Sequence, residues 1–308
     1  MSSNDIWNYV NCSDGVVERN INIKAKKEGR PLRITQLTDL HFNYCNQKDI
    51  EENDPVLMST LKKREWLKNG ESVENAKRSL EHAKNSDAIV ITGDILDYLS
   101  YGCEELAIEY VFKPYPNVIA ALGNHEAARK VQGELPDTMS YAEKSSRLKA
   151  FWNGDLHYSS TILDERVMII QMDNCSAYIG FRNDQIEPFV NDLNLARKNG
   201  YIALLFFHVH ICPNDEKYSD VHADKIGDRD WANINLNKHG ITEARDEASA
   251  KIIDLIKSSP DVIKGCFCGH MHSDFYCELT AKNGKTIPQY LLIGTPYGKG
   301  HILNIHIK

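Results

Sequence analysis

An α/β fold, in which a mixed sheet is layered with helices, is what this sequence predicts, and three observations predict it. Apolar runs of strand length alternate along the chain with longer stretches of helical period rich in Lys, Glu, Leu and Ala. Ala88-Ile-Val-Ile-Thr92 is apolar almost throughout, the pattern of a strand covered on both faces. Five short clusters of polar side chains each follow directly on such a run: Asp39-Leu40-His41, Gly93-Asp94, Gly123-Asn124-His125-Glu126, His208-Val209-His210 and Gly269-His270-Met271-His272. A strand end is rigid, and side chains from several parallel strand ends can converge on one point.

The elements follow in order. Gly15–Lys24 and Pro31–Thr38 read as strands joined by the polar turn Ala25–Arg30, the second delivering Asp39 and His41. Val56–Lys84 reads as helical with a break near Asn69-Gly70, Glu104–Lys113 as a helix, and Asn117–Leu122 as the strand that delivers Asn124. Tyr141–Phe151 reads as a helix, and His157–Leu163 and Arg166–Met172 as paired strands about a turn at Asp164-Glu165. Ile186–Lys198 is a helix stopped before Gly200, and Tyr201–Phe207 leads into His208. A helix starts at Thr242 and ends at Pro260, with Glu243, Asp246 and Glu247 near its positive end and Lys251 and Lys257 further along. Val262–Cys268 delivers His270; Phe275–Ala281 and Thr286–Ile293 form a hairpin about Asn283-Gly284; Gly300–Ile307 is the last strand. The stretch 211–240 has little apolar periodicity and is long for a compact connection, which marks it as a lid or specificity loop. Without an internal repeat or linker, residues 1–308 read as one domain.

Size and charge bound the function. The chain has 308 residues, 42% hydrophobic and 26% charged, enough for a sizeable core. A formal charge of −7 argues against broad nucleic-acid affinity, so stable nucleic-acid binding is not expected. No apolar run approaches the roughly 20 residues of a membrane span, and the first ten residues lack the basic start and apolar core of a signal peptide. Eight irregularly spaced cysteines are not a disulfide framework, so a reduced, cytoplasmic setting is the expectation. Nothing in the sequence sets an oligomeric state.

The clusters hold Asp, Asn and His with no thiolate, an O/N donor set for borderline or hard divalent ions such as Mn, Fe or Zn. Their order resembles the calcineurin-like metallophosphoesterase superfamily, whose pattern is D-x-H, G-D-x-x-D/N, G-N-H-D/E, a strand-end His and then G-H-x-H. The match runs from Asp39 to His272. It implies a four-layer α/β/β/α sandwich of two mixed sheets with flanking helices, and the look is nearest to bacterial cyclic-nucleotide-phosphodiesterase-like members. Departures set other relatives aside: protein Ser/Thr phosphatases carry Arg-Gly where Tyr98-Leu99 stands, and purple acid phosphatases carry a Tyr where Asp97 stands.

By resemblance, Asp39, His41 and His272 hold a first metal, Asn124, His208 and His270 hold a second, and Asp94 bridges the two. Such a pair of ions holds a hydroxide that attacks a phosphoester, preferably a small-molecule phosphodiester. His125 follows a ligand without being one, and the resemblance makes it the proton-transfer residue. Relatives often read His-His-Pro-Pro where this chain reads His208-Val-His-Ile-Cys-Pro213, so His210 stands as an alternative ligand or a substrate contact. Arg229 and Trp231 in the long loop, beside Lys225, Tyr218 and His222, are candidate substrate contacts, as is His301 in the terminal glycine-rich segment. Asp97 is expected to order its turn by hydrogen bonds. A DNA nuclease of the same superfamily and a non-catalytic scaffold are the alternative functions.

Overall fold

The computed structural model describes residues 7–64, 71–126, 128, 137, 139–176, 178–222, 233–296 and 298–308. Its strands are β1 (Asn8–Asn11), β2 (Val16–Ile23), β3 (Leu32–Leu37), β4 (Ala88–Thr92), β5 (Ile119–Ala121), β6 (Tyr158–Leu163), β7 (Val167–Met172), β8 (Ile202–Phe206), β9 (Val221–His222), β10 (Asn233–Ile234), β11 (Ile263–Cys268), β12 (Phe275–Thr280), β13 (Thr286–Leu291) and β14 (Gly300–Ile307). The helices are α1 (Gln47–Glu52), α2 (Pro55–Lys63), α3 (Glu71–Ala83), α4 (Tyr101–Ala107), α5 (Tyr141–Lys149), α6 (Ile186–Asn199), α7 (Leu236–His239) and α8 (Glu247–Lys257).

Twelve of the strands form two six-stranded mixed sheets, ordered β1-β2-β14-β3-β4-β5 and β12-β13-β11-β8-β7-β6. Within the first, β3, β4 and β5 run parallel. Within the second, β7, β8, β11 and β13 run parallel. Ile34, Val90, Leu303 and Ile305 of the first sheet share a buried cluster with Ile169, Leu204, Phe206 and Phe267 of the second, so the sheets pack face to face. The outer face of the first sheet is covered by α3 and α4 through Leu80, Ala83, Cys103 and Ala107. The outer face of the second is covered by α6 and α8 through Phe189, Leu193, Ile252 and Ile256. Three apolar layers between four structural layers give the α/β/β/α sandwich that the motif order implies, and each fully buried Leu, Ile or Phe in them contributes about 1.5–3 kcal/mol.

Most expected elements lie within a residue or two of their predicted bounds. The differences have local causes. The strands β2 and β3 are not neighbours, because β14 inserts between them, parallel to β2 and antiparallel to β3. The helix expected from Thr242 begins at Glu247, where the Asp246 side chain accepts the Ser249 backbone N–H and caps the first turn. Glu243 instead folds back to Lys257, 2.7 Å away. The break expected at Asn69-Gly70 lies outside the described residues. The described part of the 211–240 segment carries more structure than its composition suggests: β9 and β10 pair antiparallel, α7 follows, and the buried Tyr218 hydroxyl accepts the Glu278 N–H at 3.0 Å.

Candidate metal centre

The parallel strands β3, β4 and β5 of one sheet and β8 and β11 of the other end at the same edge, and each delivers one cluster. The Asp39 N–H donates to the Gly93 carbonyl at 2.9 Å, and the Gly269 N–H donates to the His208 carbonyl at 3.0 Å, so neighbouring strand ends are tied pairwise. Gln36 of β3 reaches across the sandwich, its amide donating to the Cys268 carbonyl at 3.0 Å. Two of the motif glycines are there for close approach: a Cβ on Gly123 would overlap the Asp94 carboxylate, and one on Gly269 would overlap Thr38 and Asp39.

Two sets of donor atoms result, each within 4.8 Å: Asp39, His41, Asp94 and His272 in one, Asp94, His208 and His270 in the other. Asp94 belongs to both. Asn124 joins the second set through its Oδ1, 3.2 Å from His208 Nε2. The structure thus brings together Asp39, His41, Asp94, Asn124, His208, His270 and His272. It does not bring His210 there. That ring is fully buried under Leu236, with Nε2 2.9 Å from the Leu236 carbonyl, and burial pushes it down to about 4. His301 is also buried and lies beside Arg19, whose guanidinium donates to its Nδ1 at 3.2 Å. Arg229 and Trp231 lie outside the described residues.

The electrostatics of the two sets call for positive charge. His208 Nδ1 lies 2.7 Å from the Thr92 carbonyl and must donate to it, which turns Nε2 toward Asp94 Oδ2 at 3.1 Å and Asn124 Oδ1. His41 is fixed in the same way by Asp97 Oδ1 at 2.9 Å from its Nδ1, which leaves its Nε2 3.0 Å from His272 Nε2. Burial opposes charge on these rings, yet the acids Asp39, Asp94 and Asp97 raise His41 to about 10, and Asp94 with Asp39 raises His208 to about 9. Burial also opposes ionisation of Asp94, but His208 and His125 hold it well below the usual carboxylate range. Asp39 Oδ1 is buried and accepts no well-formed hydrogen bond, although His272 Nε2 stands 3.0 Å from it. Five donor residues, Asp39, His41, Asp94, His270 and His272, hold positive φ, a strained conformation that aims their side chains inward. An orphaned oxygen, carboxylates whose charge the imidazoles must balance by holding protons, and an O/N donor set fit divalent cations at both positions.

His125 stands beside these sets. Its backbone N–H donates to Asp94 Oδ1 at 2.9 Å, and its Nδ1 donates to the Asp97 carbonyl at 2.7 Å. Nε2 is therefore the nitrogen presented to the cleft, 4.0 Å from Asp94 Oδ2. Burial lowers its pKa, with Asp94 acting against that shift.

Supporting residues without a role in the sequence reading complete the centre. The buried Glu126 carboxylate accepts the backbone N–H groups of Asp94 (3.0 Å), Ile95, Leu96 (3.1 Å) and Gly123, and clamps two strand ends together. Burial and the nearby Asp94 raise it to about 7. Its signal was the acid three residues after Gly123, a spacing that returns a carboxylate to the start of a turn. Asp97 is expected from the sequence to order its turn, but its carboxylate instead reaches His41, Asn43 and Arg64 in other segments, with Arg64 the chief partner. The guanidinium pairs with both carboxylate oxygens, one at 2.8 Å, and Asn43 adds a donor at 2.7 Å.

A family model for calcineurin-like phosphoesterases matches residues 32–274. This chain belongs to that family. A purple acid phosphatase from yellow lupin seeds shares the fold with a TM-score of 0.52 at 13% identity, covering 88% of this chain and 45% of the lupin chain. A dimetal phosphatase from Danio rerio aligns over 86% of this chain and 88% of its own at 13% identity, with a TM-score of 0.49. None of the curated proteins matches in sequence. The family member described here carries no helix, among its described residues, long and apolar enough to cross a membrane.

Proposed function

We propose that this chain hydrolyses small-molecule phosphoesters, preferably diesters, with two divalent ions drawn from Mn, Fe and Zn. Asp39, His41 and His272 would hold one ion, Asn124, His208 and His270 the other, and Asp94 would bridge. The observation that carries this reading is the pair of donor sets sharing Asp94, with His125 alongside. Bound divalent ions supply Lewis acidity toward a phosphoryl oxygen and acidify water near neutral pH.

The protein's own groups do the rest. Asp97 fixes the His125 ring through its carbonyl, so Nε2 alone is free to exchange a proton with substrate. Water adds to phosphorus and releases one proton to solvent, the bond to the leaving oxygen breaks, and His125 in its imidazolium form gives that oxygen the Nε2 proton, which solvent then restores. Arg64 and Asp97 hold His41 in orientation from behind. Net acidity supports a compact substrate over a long polyanion, and eight free thiols support a reducing, cytoplasmic setting.

The test is turnover of bis-p-nitrophenyl phosphate beside p-nitrophenyl phosphate after reconstitution with Mn, for wild type, His125→Ala and Asp94→Asn. Diester-selective turnover is expected. His125→Ala should lose about 10²–10⁴-fold with metal content intact, whereas Asp94→Asn should lose both activity and metal. Full activity in Asp94→Asn would remove the bridging assignment, and no turnover of either ester with two ions bound would remove the hydrolytic reading.

A further inference from the structure

Among the described residues, one set of metal-capable side chains away from the strand-end centre joins a thiol, a carboxylate and an imidazole. Ligand atoms of Cys12, Asp14 and His82 all lie within 4.8 Å of one another. Cys12 and Asp14 sit on the turn between β1 and β2, and His82 sits in the last turn of α3. The turn is fixed by its own backbone: Cys12 N–H donates to the Val16 carbonyl at 2.8 Å, Gly15 N–H donates to the Cys12 carbonyl at 3.2 Å, and Gly15 takes φ +85°. Gly300 N–H, at the start of β14, donates to the Gly15 carbonyl at 3.0 Å.

The imidazole is oriented from outside the set. Glu18 Oε1 lies 2.9 Å from His82 Nδ1, and Glu18 Oε2 accepts the Asn304 amide at 3.2 Å, which anchors the carboxylate on the sheet. With Nδ1–H donated to Glu18, Nε2 faces Asp14 Oδ2 at 2.7 Å. A carboxylate on one ring nitrogen and further donors at the other is the arrangement that supports metal-binding histidines.

We propose that Cys12, Asp14 and His82 form a separate site for a borderline divalent cation of the zinc class, with Glu18 as the positioning residue for His82. One thiolate, one imidazole and one carboxylate suit such an ion, and the half-exposed setting leaves a fourth position to water. Binding displaces the Cys12 thiol proton and any proton on His82 Nε2 to solvent. Burial, then the charges of Glu18 and Asp14, push the free thiol up, so a cation is what turns this sulfur into a thiolate. The site would clasp α3 to the β1–β2 turn beside the start of β14. It does not depend on the hydrolytic reading, because the strand-end donor sets contain no sulfur.

The thiol makes the test specific. Cobalt(II) is titrated into full-length wild type, Cys12→Ser, Cys45→Ser, His82→Gln and Glu18→Gln. Near-ultraviolet absorption is read for a thiolate-to-cobalt charge-transfer band, and bound cobalt per chain is counted. Wild type and Cys45→Ser, which removes the other partly exposed thiol, should show a saturable band that zinc displaces. Cys12→Ser should lose the band and one bound cobalt per chain, and His82→Gln the same; Glu18→Gln should bind about 10–100-fold more weakly. Absence of the band in wild type, or its persistence in Cys12→Ser, would overturn the proposal and leave His82 as an imidazolium shared by two carboxylates.

Discussion

Removing the Arg64 guanidinium isolates how the centre is supported, and its magnitude can be worked from the contacts. Arg64 is 3% exposed, and it neutralises Asp97, whose side chain has no exposed surface. Arg64→Met keeps the apolar stem and removes two charge-assisted contacts. Asp97 would then be a buried carboxylate held by Asn43 and His41 alone. Breaking a buried pair from one side costs about 3–5 kcal/mol. Two surviving donors put this case near the lower end, about 3 kcal/mol, or on the order of a hundredfold in the folding equilibrium. Urea unfolding in EDTA, followed by far-ultraviolet circular dichroism, should report that loss as a lower midpoint at unchanged slope. Asp97→Asn and the double variant complete a cycle whose coupling should exceed about 1 kcal/mol, because each single change strands the other partner. A cost for Arg64→Met under about 1 kcal/mol, or simple additivity in the cycle, would refute the view that this pair is a desolvated unit.

Other expectations rest on separate features. His208→Gln should abolish second-metal retention and turnover, while His210→Gln should leave kcat/KM within about threefold, because its ring faces Leu236; metal counting and kinetics on the two variants decide. Gly123→Ala should displace the Asp94 carboxylate and cost about 10²-fold in turnover, measured at saturating Mn. In Glu126→Gln one acceptor oxygen becomes an NH₂ group facing backbone N–H donors, so denaturant unfolding should show a loss of about 2–4 kcal/mol at neutral pH. Burial opposes ionisation of Asp87, but Arg30 and the Arg33 N–H hold its pKa below the ordinary value. Its contribution is therefore complete above the unfolded carboxylate pKa of about 3.9 and is lost as pH falls. The melting-temperature gap between wild type and Asp87→Asn should close between about pH 5 and pH 2, and a gap that widens on acidification would reverse the sign of the argument.

The donor residues were legible because strand ends announce themselves: an apolar run stops and a short polar cluster follows, opened by glycine in three of the five cases. Asp39, Asp94, Asn124, His208, His270 and His272 all carry that local mark, and the structure gathers all six. Arg64 carries none. It lies 33 residues before Asp97, and only the placement of the C-terminal end of α2, which Arg64 caps, brings it there. The separation of His208 from His210 was likewise hidden, since both follow β8 and their fates differ by which face of the chain meets α7. The start of α8 was misread because acids are scattered before it, and only one of them, Asp246, closes a cap. Strand pairing was the largest gap. Periodicity marks β2, β3 and β14 as strands, but nothing local records that the last of them lies between the other two.

That arrangement bears on how the protein is made. Residues 300–307 fill the slot between β2 and β3 along almost the whole length of both partners. During synthesis β2 and β3 emerge hundreds of residues ahead of their shared neighbour, with open backbone edges on the inner side of each. The first sheet can close only after nearly all of the second has been translated, so its folding is bound to one late, long-range event. The strand end that carries Asp39 and His41 belongs to that waiting sheet. Assembly of the metal centre should accordingly wait on β14, and a nascent chain stalled before residue 300 should expose β2 and β3 to protease and chaperone alike.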